Sequence, residues 1–345
     1  MKSVHEIQEL LTLSGKPGNV PDDLMAFFLY LKEKRRVEKG GDDFKAFAIN
    51  SNELDSFGDL IHCMVENCTK NARFEIAISR WDGSAQLRHW SFLEFNFNGE
   101  NQPPSLDILI CDPLGFKQSL VLTNLLCFGI EFGYLSKLCT LKVYIPIDTL
   151  QEKGRLCAYF VMDCIAMLSN QDKFSPIYDY MRSHQQTEKQ QEAIRDLKSY
   201  SEAVAMCYSE DELADMYHFD IVVGPLHIRF LRTMQSIETL EKAASDSEEI
   251  VNSKGDTAKA SIAKYSIFTT THSDQSEYRN MRVNVKMGKL GNTMGEVSSS
   301  ISSEDDIQLF NEAVRDHRLS GLEQFIDAIT KKEDLTHLSL NTQAS

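Results

Sequence analysis

The sequence predicts an α+β fold, and three observations point to it. Short runs rich in Phe, Ile, Val and Leu fall between residues 74 and 147, bounded by Gly, Pro and Asn clusters as strands are. Apolar residues recurring at intervals of three and four mark helices before and after that stretch. The 345 residues carry 42% apolar and 25% charged side chains, an ordinary balance for a chain that buries a core. No internal repeat organises them.

A short helix is expected over residues 4–11, then a Gly/Pro loop over 15–21 and a helix over 22–37 capped by Asp22 or Asp23. Residues 38–43 are a polar break. Leu54, Phe57, Leu60, Ile61, Met64 and Val65 give residues 52–68 one apolar helical face. Strands follow at residues 74–78 and 90–97. In the second, Trp90 and Phe92 followed by Phe95 and Phe97 imply a change of face near Glu94, which is placed toward solvent. Residues 98–105 turn, residues 106–111 form a buried strand, and Asp112-Pro113 ends it. A helix over 118–128, a strand over 141–147 and a polar loop over 148–155 lead into an apolar helix over 156–168, with Cys157 at its N-terminus. From residue 170 to about 216 the chain reads as helical and polar. Ile228, Phe230, Leu231, Met234, Ile237 and Leu240 predict one helical face across residues 227–242. Residues 245–264 are charged, and residues 296–305 are a Ser/Glu/Asp linker. Residues 306–331 form an amphipathic helix with Ile307, Phe310, Val314, Leu322, Phe325, Ile326 and Ile329 on its core face.

The bulk properties exclude some functions. With 36 Lys and Arg against 51 Asp and Glu, the formal charge is -15. That argues against a nucleic-acid partner, which needs a basic footprint. No run of 18 apolar residues predicts a membrane span, and the N-terminus shows no Sec-type signal, so synthesis in a cytosol is expected. Eight cysteines are too sparse for a disulfide scaffold. Cys63 and Cys68 have no second close pair near histidines, so no metal site is expected.

The chemistry-bearing residues are His89, Asp112, Gln151 and Cys157, each where a strand-like run begins or ends or gives way to a helix. An ordinary thiol, with a pKa of about 8.5, is mostly neutral at pH 7. A nucleophilic Cys157 therefore needs help: a base in His89, the positive end of the helix that follows, and the charges of Lys153 and Arg155. Asp112 would hold the imidazole in one tautomer, and the Gln151 amide would donate to an oxyanion beside the Cys157 backbone N–H. Each residue also has a bland explanation: an ordinary strand histidine, a turn-ending Asp-Pro, a solvated glutamine and a buried thiol. Papain-type enzymes place Cys before His, so the order here implies a different fold.

Read in order, these segments resemble the YopJ family of bacterial effector acetyltransferases, which has the CE-clan cysteine-protease fold. The resemblance runs from Met64-Val-Glu-Asn through Ala72-Arg73-Phe74, His89-Trp-Ser-Phe-Leu-Glu-Phe and Leu109-Ile-Cys-Asp112-Pro. It continues with Asp148-Thr-Leu-Gln151, six residues before Cys157, and with Leu226-His-Ile-Arg-Phe-Leu-Arg-Thr-Met-Gln235-Ser236 and Ile250-Val-Asn-Ser-Lys254-Gly-Asp-Thr257. It covers roughly residues 52–265. The resemblance implies a CE-clan core, a mixed sheet flanked by helices, with a mainly helical regulatory region. It implies a helical region and delivery signal over residues 1–50, a catalytic core over 51–185, a regulatory region over 186–295 packed with the N-terminal helices, and an acidic linker and C-terminal helix over 296–345.

By the same resemblance His89, Asp112 and Cys157 form the triad and Gln151 the oxyanion donor. Acetyl-CoA would acylate Cys157, and Ser, Thr or Lys of host signalling proteins such as kinases would accept the group. Inositol hexakisphosphate would activate the enzyme by clamping Arg229, Arg232, Lys242, Lys254 and Lys264, with Lys254 also matching an autoacetylated position. A bacterial secretion system would deliver the protein into the host cytoplasm, and the C-terminal helix would offer a partner surface. The chain departs from the pattern at Ala158, where Gly is usual, at Asp112, where Glu is commoner, and at Arg232-Thr233, where Lys-His is typical. Two other functions use the same residues differently: a cysteine protease of ubiquitin or ubiquitin-like conjugates, and a non-catalytic interaction module with a structural Cys157.

Overall fold

A computed structural model describes residues 2–13, 20–41, 44–82, 87–152, 156–169, 176–204, 218–232, 234–245, 247–252, 254–270, 277–281 and 303–330. Its centre is a six-stranded mixed sheet in the order β1-β2-β3-β4-β5-β6. The strands are β1 Ala46–Asn50, β2 Asn71–Asp82, β3 Leu87–Asn98, β4 Ser105–Cys111, β5 Thr140–Pro146 and β6 Asp220–Gly224. The β2–β3 and β3–β4 pairs are antiparallel and the other three pairs are parallel. These directions bring the C-terminal ends of β1, β2, β4, β5 and β6 and the start of β3 to one end of the sheet. Ligand sites of open α/β sheets form at such an end.

Both faces of the sheet are covered. On one lie α2 (Asp22–Val37), α6 (Cys157–Leu168), α7 (Pro176–Ser183) and the helices of the 228–265 region, packed on Trp90, Phe92, Leu109 and Tyr144. On the other lie α3 (Leu54–Asn67), α4 (Phe116–Gly129), α5 (Phe132–Leu138) and α8 (Thr187–Val204), packed on Phe74, Leu93, Phe95 and Ile108. Helix α1 is Val4–Leu13. The 228–265 region carries α9 (Ile228–Leu231), α10 (Ile237–Ala244) and α11 (Ala258–Tyr265). A separate hairpin joins β7 (Ser266–Thr270) to β8 (Glu277–Met281). Among the described residues no single helix is long and apolar enough to cross a membrane.

The sheet draws β1 from residues 46–50 and β6 from residues 220–224. Several expectations are corrected. Strand β3 does not change face at Glu94: Trp90, Phe92 and Glu94 share one face, and Leu93, Phe95 and Phe97 the other. Glu94 is fully buried rather than solvated, paired with Arg73 at 2.7 Å and accepting from the Tyr178 hydroxyl at 3.2 Å. Burial pushes its pKa up to about 7 against the pull of Arg73. Neither Asp22 nor Asp23 caps α2; Pro21 holds that position. Asp22 instead accepts from Ser79 and Asn50 and pairs with Arg88. The helix expected over 227–242 is broken into α9 and α10, because the Ser236 hydroxyl caps a fresh start by accepting from Thr239 N–H. The linker stretch 296–302 lies outside the described residues.

The terminal helix is also two: α12 (Glu304–Asp316) and α13 (Leu319–Thr330). The break sits at His317 for a reason. Its carbonyl accepts from Ala48 N–H at 2.8 Å, and its Nδ1 bonds Ala46 O at 2.9 Å. An exposed edge strand invites pairing with another chain, and His317 blocks that edge at β1. Arg318 then ties the corner to Asp23 and Glu53. Phe310 and Ala313 of α12 pack into the core on one face of the sheet, and Leu322 and Ile326 of α13 into the core on the other. Burial of this kind predicts that Leu322→Ala lowers the urea unfolding free energy by roughly 2–5 kcal/mol. Leu309→Ala, at a position 42% exposed on α12, is expected to change it by less than about 0.5 kcal/mol.

Candidate active site

The end of the sheet where β3 starts and β4 ends carries His89 and Asp112. Residue 91 pairs with residue 78 and residue 92 with Cys111, so the antiparallel register sets Ser91 beside Asp112. His89, two residues back along β3, falls on the same face. Its Nε2 donates to Asp112 Oδ2 at 2.6 Å, and the Cys157 side chain lies near enough to raise the pKa of the ring. Asp112 is completely buried and His89 largely so. The shorter acid at position 112 thus reaches the imidazole directly.

Asp112 collects donors from four directions. Besides His89, Oδ2 accepts from Arg80 Nη2 and from Ser91 Oγ, each at 2.8 Å, and Oδ1 accepts from Leu114 N–H at 2.9 Å. Arg80 also reaches Gln118 Oε1 at 3.0 Å, and the Asp112 N–H donates to Ser119 Oγ. Burial alone would penalise the Asp112 charge. The His89 bond, the Arg80 charge and the Leu114 N–H outweigh it and hold the carboxyl below the usual carboxylate range. For His89 the same contest runs the other way. Burial opposes its charge, but the bond to Asp112 and the nearby Cys157 side chain win and bring the imidazole up to about 9. Arg80, Ser91 and Gln118 were not found from sequence. Only the strand pairing of β2, β3 and β4 places them on this carboxylate.

Cys157 is the first residue of α6 and is 4% exposed. The first N–H groups of a helix have no acceptor within it, and the Cys157 N–H is one of them. Ala158 is fully buried behind it. Lys153 and Arg155 lie outside the described residues. Gln151 is 3% exposed, in the loop between β5 and α6. That loop is held against the turn after Asp112: Pro113 O accepts from Leu150 N–H at 2.9 Å and Gln151 N–H at 2.7 Å. Gly115 keeps the two segments close. It has φ +95°, and a Cβ there would stand 2.3 Å from Thr149 Oγ1.

The five cations proposed from sequence fall into separate settings within residues 229–264. Arg229 pairs with Glu249 at 2.7 Å and donates to Ile250 O. Arg232 pairs with Asp163 of α6 at 2.8 Å. Lys254 and Lys264 both approach Tyr265, and their charges lower its pKa. Lys242 lies exposed on α10. A further cationic group was missed: Lys32 of α2 feels the charges of Arg35, Arg36 and Arg232 as well as that of Asp163, with which Arg232 pairs. Burial, partly offset by Asp163, depresses the Lys32 pKa, and the three guanidinium groups add to the depression. The run Lys-Glu-Lys-Arg-Arg at residues 32–36 was the visible signal for it.

No family model matches the chain, and no curated protein does. The fold is nevertheless shared with a solved structure. AvrA delL154 with IP6 and CoA superposes with a TM-score of 0.50 at 13% identity, covering 85% of this chain and 99% of that one. HopZ1a in complex with IP6 and CoA gives a TM-score of 0.48 at 11% identity, covering 86% and 93%. The fold is that of the YopJ-family effectors, an α+β cysteine-protease-like architecture.

The His89 shift makes stability depend on pH with a defined sign. Its folded value of about 9 exceeds the unfolded value of about 6.5. The stabilisation is therefore complete below about pH 6.5 and lost as pH rises through about 9, on the order of 3 kcal/mol in all. Urea melts from pH 6 to 10 are expected to show this decline in the wild type, and a much flatter profile across that window in His89→Gln.

Proposed function

We propose that the protein is an effector acetyltransferase that carries an acetyl group on Cys157. The observation that supports this most is the His89 imidazole bonded to a buried, ionised Asp112 and close to the thiol at the start of α6, within a fold shared with AvrA solved with IP6 and CoA. In this reading the Cys157 sulfur, its proton on His89, attacks the thioester carbonyl of acetyl-CoA. The Gln151 amide and the Cys157 N–H stabilise the oxyanion. Collapse forms the Cys157 thioester, and coenzyme A leaves with the proton from His89. A Ser or Thr hydroxyl or a Lys amine of a host signalling protein, such as a kinase, then attacks. His89 takes its proton, and the thiolate is restored. Asp112 stays ionised throughout and holds the ring in place.

Inositol hexakisphosphate fits the chain as activator. Arg35, Arg36 and Arg232 put like charge on Lys32, against the opposing charge of Asp163, which Arg232 pairs with. A polyanion would satisfy that group together with Arg229 and, through the adjoining 250–265 segment, Lys254 and Lys264, with Lys242 at its outer edge. Such a ligand supplies charge only, fixing α2 and the 228–265 region against α6. The resemblance adds delivery by a bacterial secretion system into a host cytoplasm. A partner engaging the C-terminal helices would meet their outer face, where Leu309 is exposed.

Intact mass spectrometry after incubation with acetyl-CoA, with and without inositol hexakisphosphate, tests the reading. One acetyl group on the wild type, absent in Cys157→Ala and enhanced by the polyanion, is expected. Trapping by a ubiquitin-type vinyl sulfone with no acetylation would instead show a protease, and neither signal would leave a non-catalytic role. The polyanion is also expected to raise the melting temperature of the wild type, and to do so much less in Arg232→Glu.

A further inference from the structure

We infer that Gln235 is a positioning residue for the oxyanion donor Gln151, fixing the loop before the nucleophile through the residues on either side of that donor. The inference rests on the acyl-transfer reading above for its catalytic consequence, though not for its geometry. The loop of residues 148–152 must leave β5, present Gln151 and turn toward α6. On one flank its backbone is held by Pro113. On the other flank Gln235 makes two bonds that straddle Gln151. Its backbone N–H donates to Leu150 O at 2.9 Å, and its side-chain Oε1 accepts from Glu152 N–H at 2.5 Å. Asp148 Oδ2 accepts a third bond, from Leu226 N–H at 2.6 Å.

Gln235 is 4% exposed, and Leu150 and Gln151 are 0% and 3% exposed. The acceptor of that bond is a buried amide oxygen, and removing it would free the Glu152 N–H and leave the loop without this tie. Fixing residues 150 and 152 restricts the dihedrals on both sides of Gln151, and an oxyanion donor works only when its position is set beforehand. The same segment grips α6 beyond the nucleophile through Arg232 and Asp163. The stretch from Leu226 to Gln235 therefore touches the chain both before and after Cys157. The cation-bearing segment reaches the oxyanion loop through Gln235, where a shift of α9 and α10 would move Gln151.

The test compares wild type, Gln235→Met, Gln235→Glu, Gln151→Ala and the Gln151→Ala/Gln235→Met double variant. Three readouts are taken: Cys157 acetylation rate, Cys157 alkylation by iodoacetamide, and amide hydrogen exchange at residue 152. Alkylation develops no oxyanion, so it reports the thiol without the donor. Gln235→Met is expected to slow acetylation roughly 10- to 100-fold while alkylation stays within about twofold. Exchange at residue 152 should accelerate. The double variant should be no slower than Gln151→Ala, and Gln235→Glu, which keeps the acceptor, should retain most of the rate and the amide protection. Wild-type acetylation in Gln235→Met, losses that multiply in the double variant, or an alkylation rate that falls in step with acetylation would overturn the inference. If the wild type itself is never acetylated, the acyl-transfer reading fails. Exchange then decides the positioning claim alone: faster exchange in Gln235→Met sustains it, and unchanged protection defeats it.

Discussion

The site depends on one buried carboxylate. Asp112 has no exposure to water, so its charge is tolerable only because His89, Arg80, Ser91 and the Leu114 N–H all donate to it. The donors come from three parts of the fold: β2 gives Arg80, β3 gives His89 and Ser91, and the turn after β4 gives Leu114. Removing any strand register that aligns them would leave an unpaired charge in the interior. The sheet order and the imidazole geometry are therefore one constraint seen at two scales. The turn that ends β4 also carries Pro113, whose carbonyl holds the Gln151 loop, so the acid and that loop are set by the same few residues.

Much of this was legible in the chain. The helices over residues 22–37 and 156–168 follow from apolar periodicity and punctuation, and Cys157 falls at a helix start because the polar loop ends there. The four residues His89, Asp112, Gln151 and Cys157 sit at element ends, and a parallel-rich sheet gathers such ends on one side. What sequence could not supply was pairing. Strand β1 is only five residues long and follows a polar break, so its place beside β2 comes from tertiary contact alone. Glu94 reads as a solvated residue until Arg73 and Tyr178 arrive from β2 and α7 to bury it. Arg80 on Asp112 is likewise invisible, because residues 32 apart meet only through the β2–β3–β4 ladder.

The proposed regulatory side follows the same logic. A chain with a net charge of -15 sets Arg35, Arg36 and Arg232 near Lys32, and Arg232 pairs with Asp163 of α6. Like charges so placed favour an anion that relieves them. The resemblance assigned this role to the 229–264 cations alone. The fold adds the N-terminal helix, joined to the end of α6 by Arg36, which donates to Ala166 O and Ser169 O.

The most direct test of the central claim is a nitrogen NMR titration of the His89 imidazole. If Asp112 bonds that ring and Cys157 lies close to it, it stays protonated until about pH 9, and its titration drops toward an ordinary histidine value in Asp112→Asn. A wild-type ring that titrates near pH 6.5, unmoved by the loss of Asp112 or Cys157, would contradict the account.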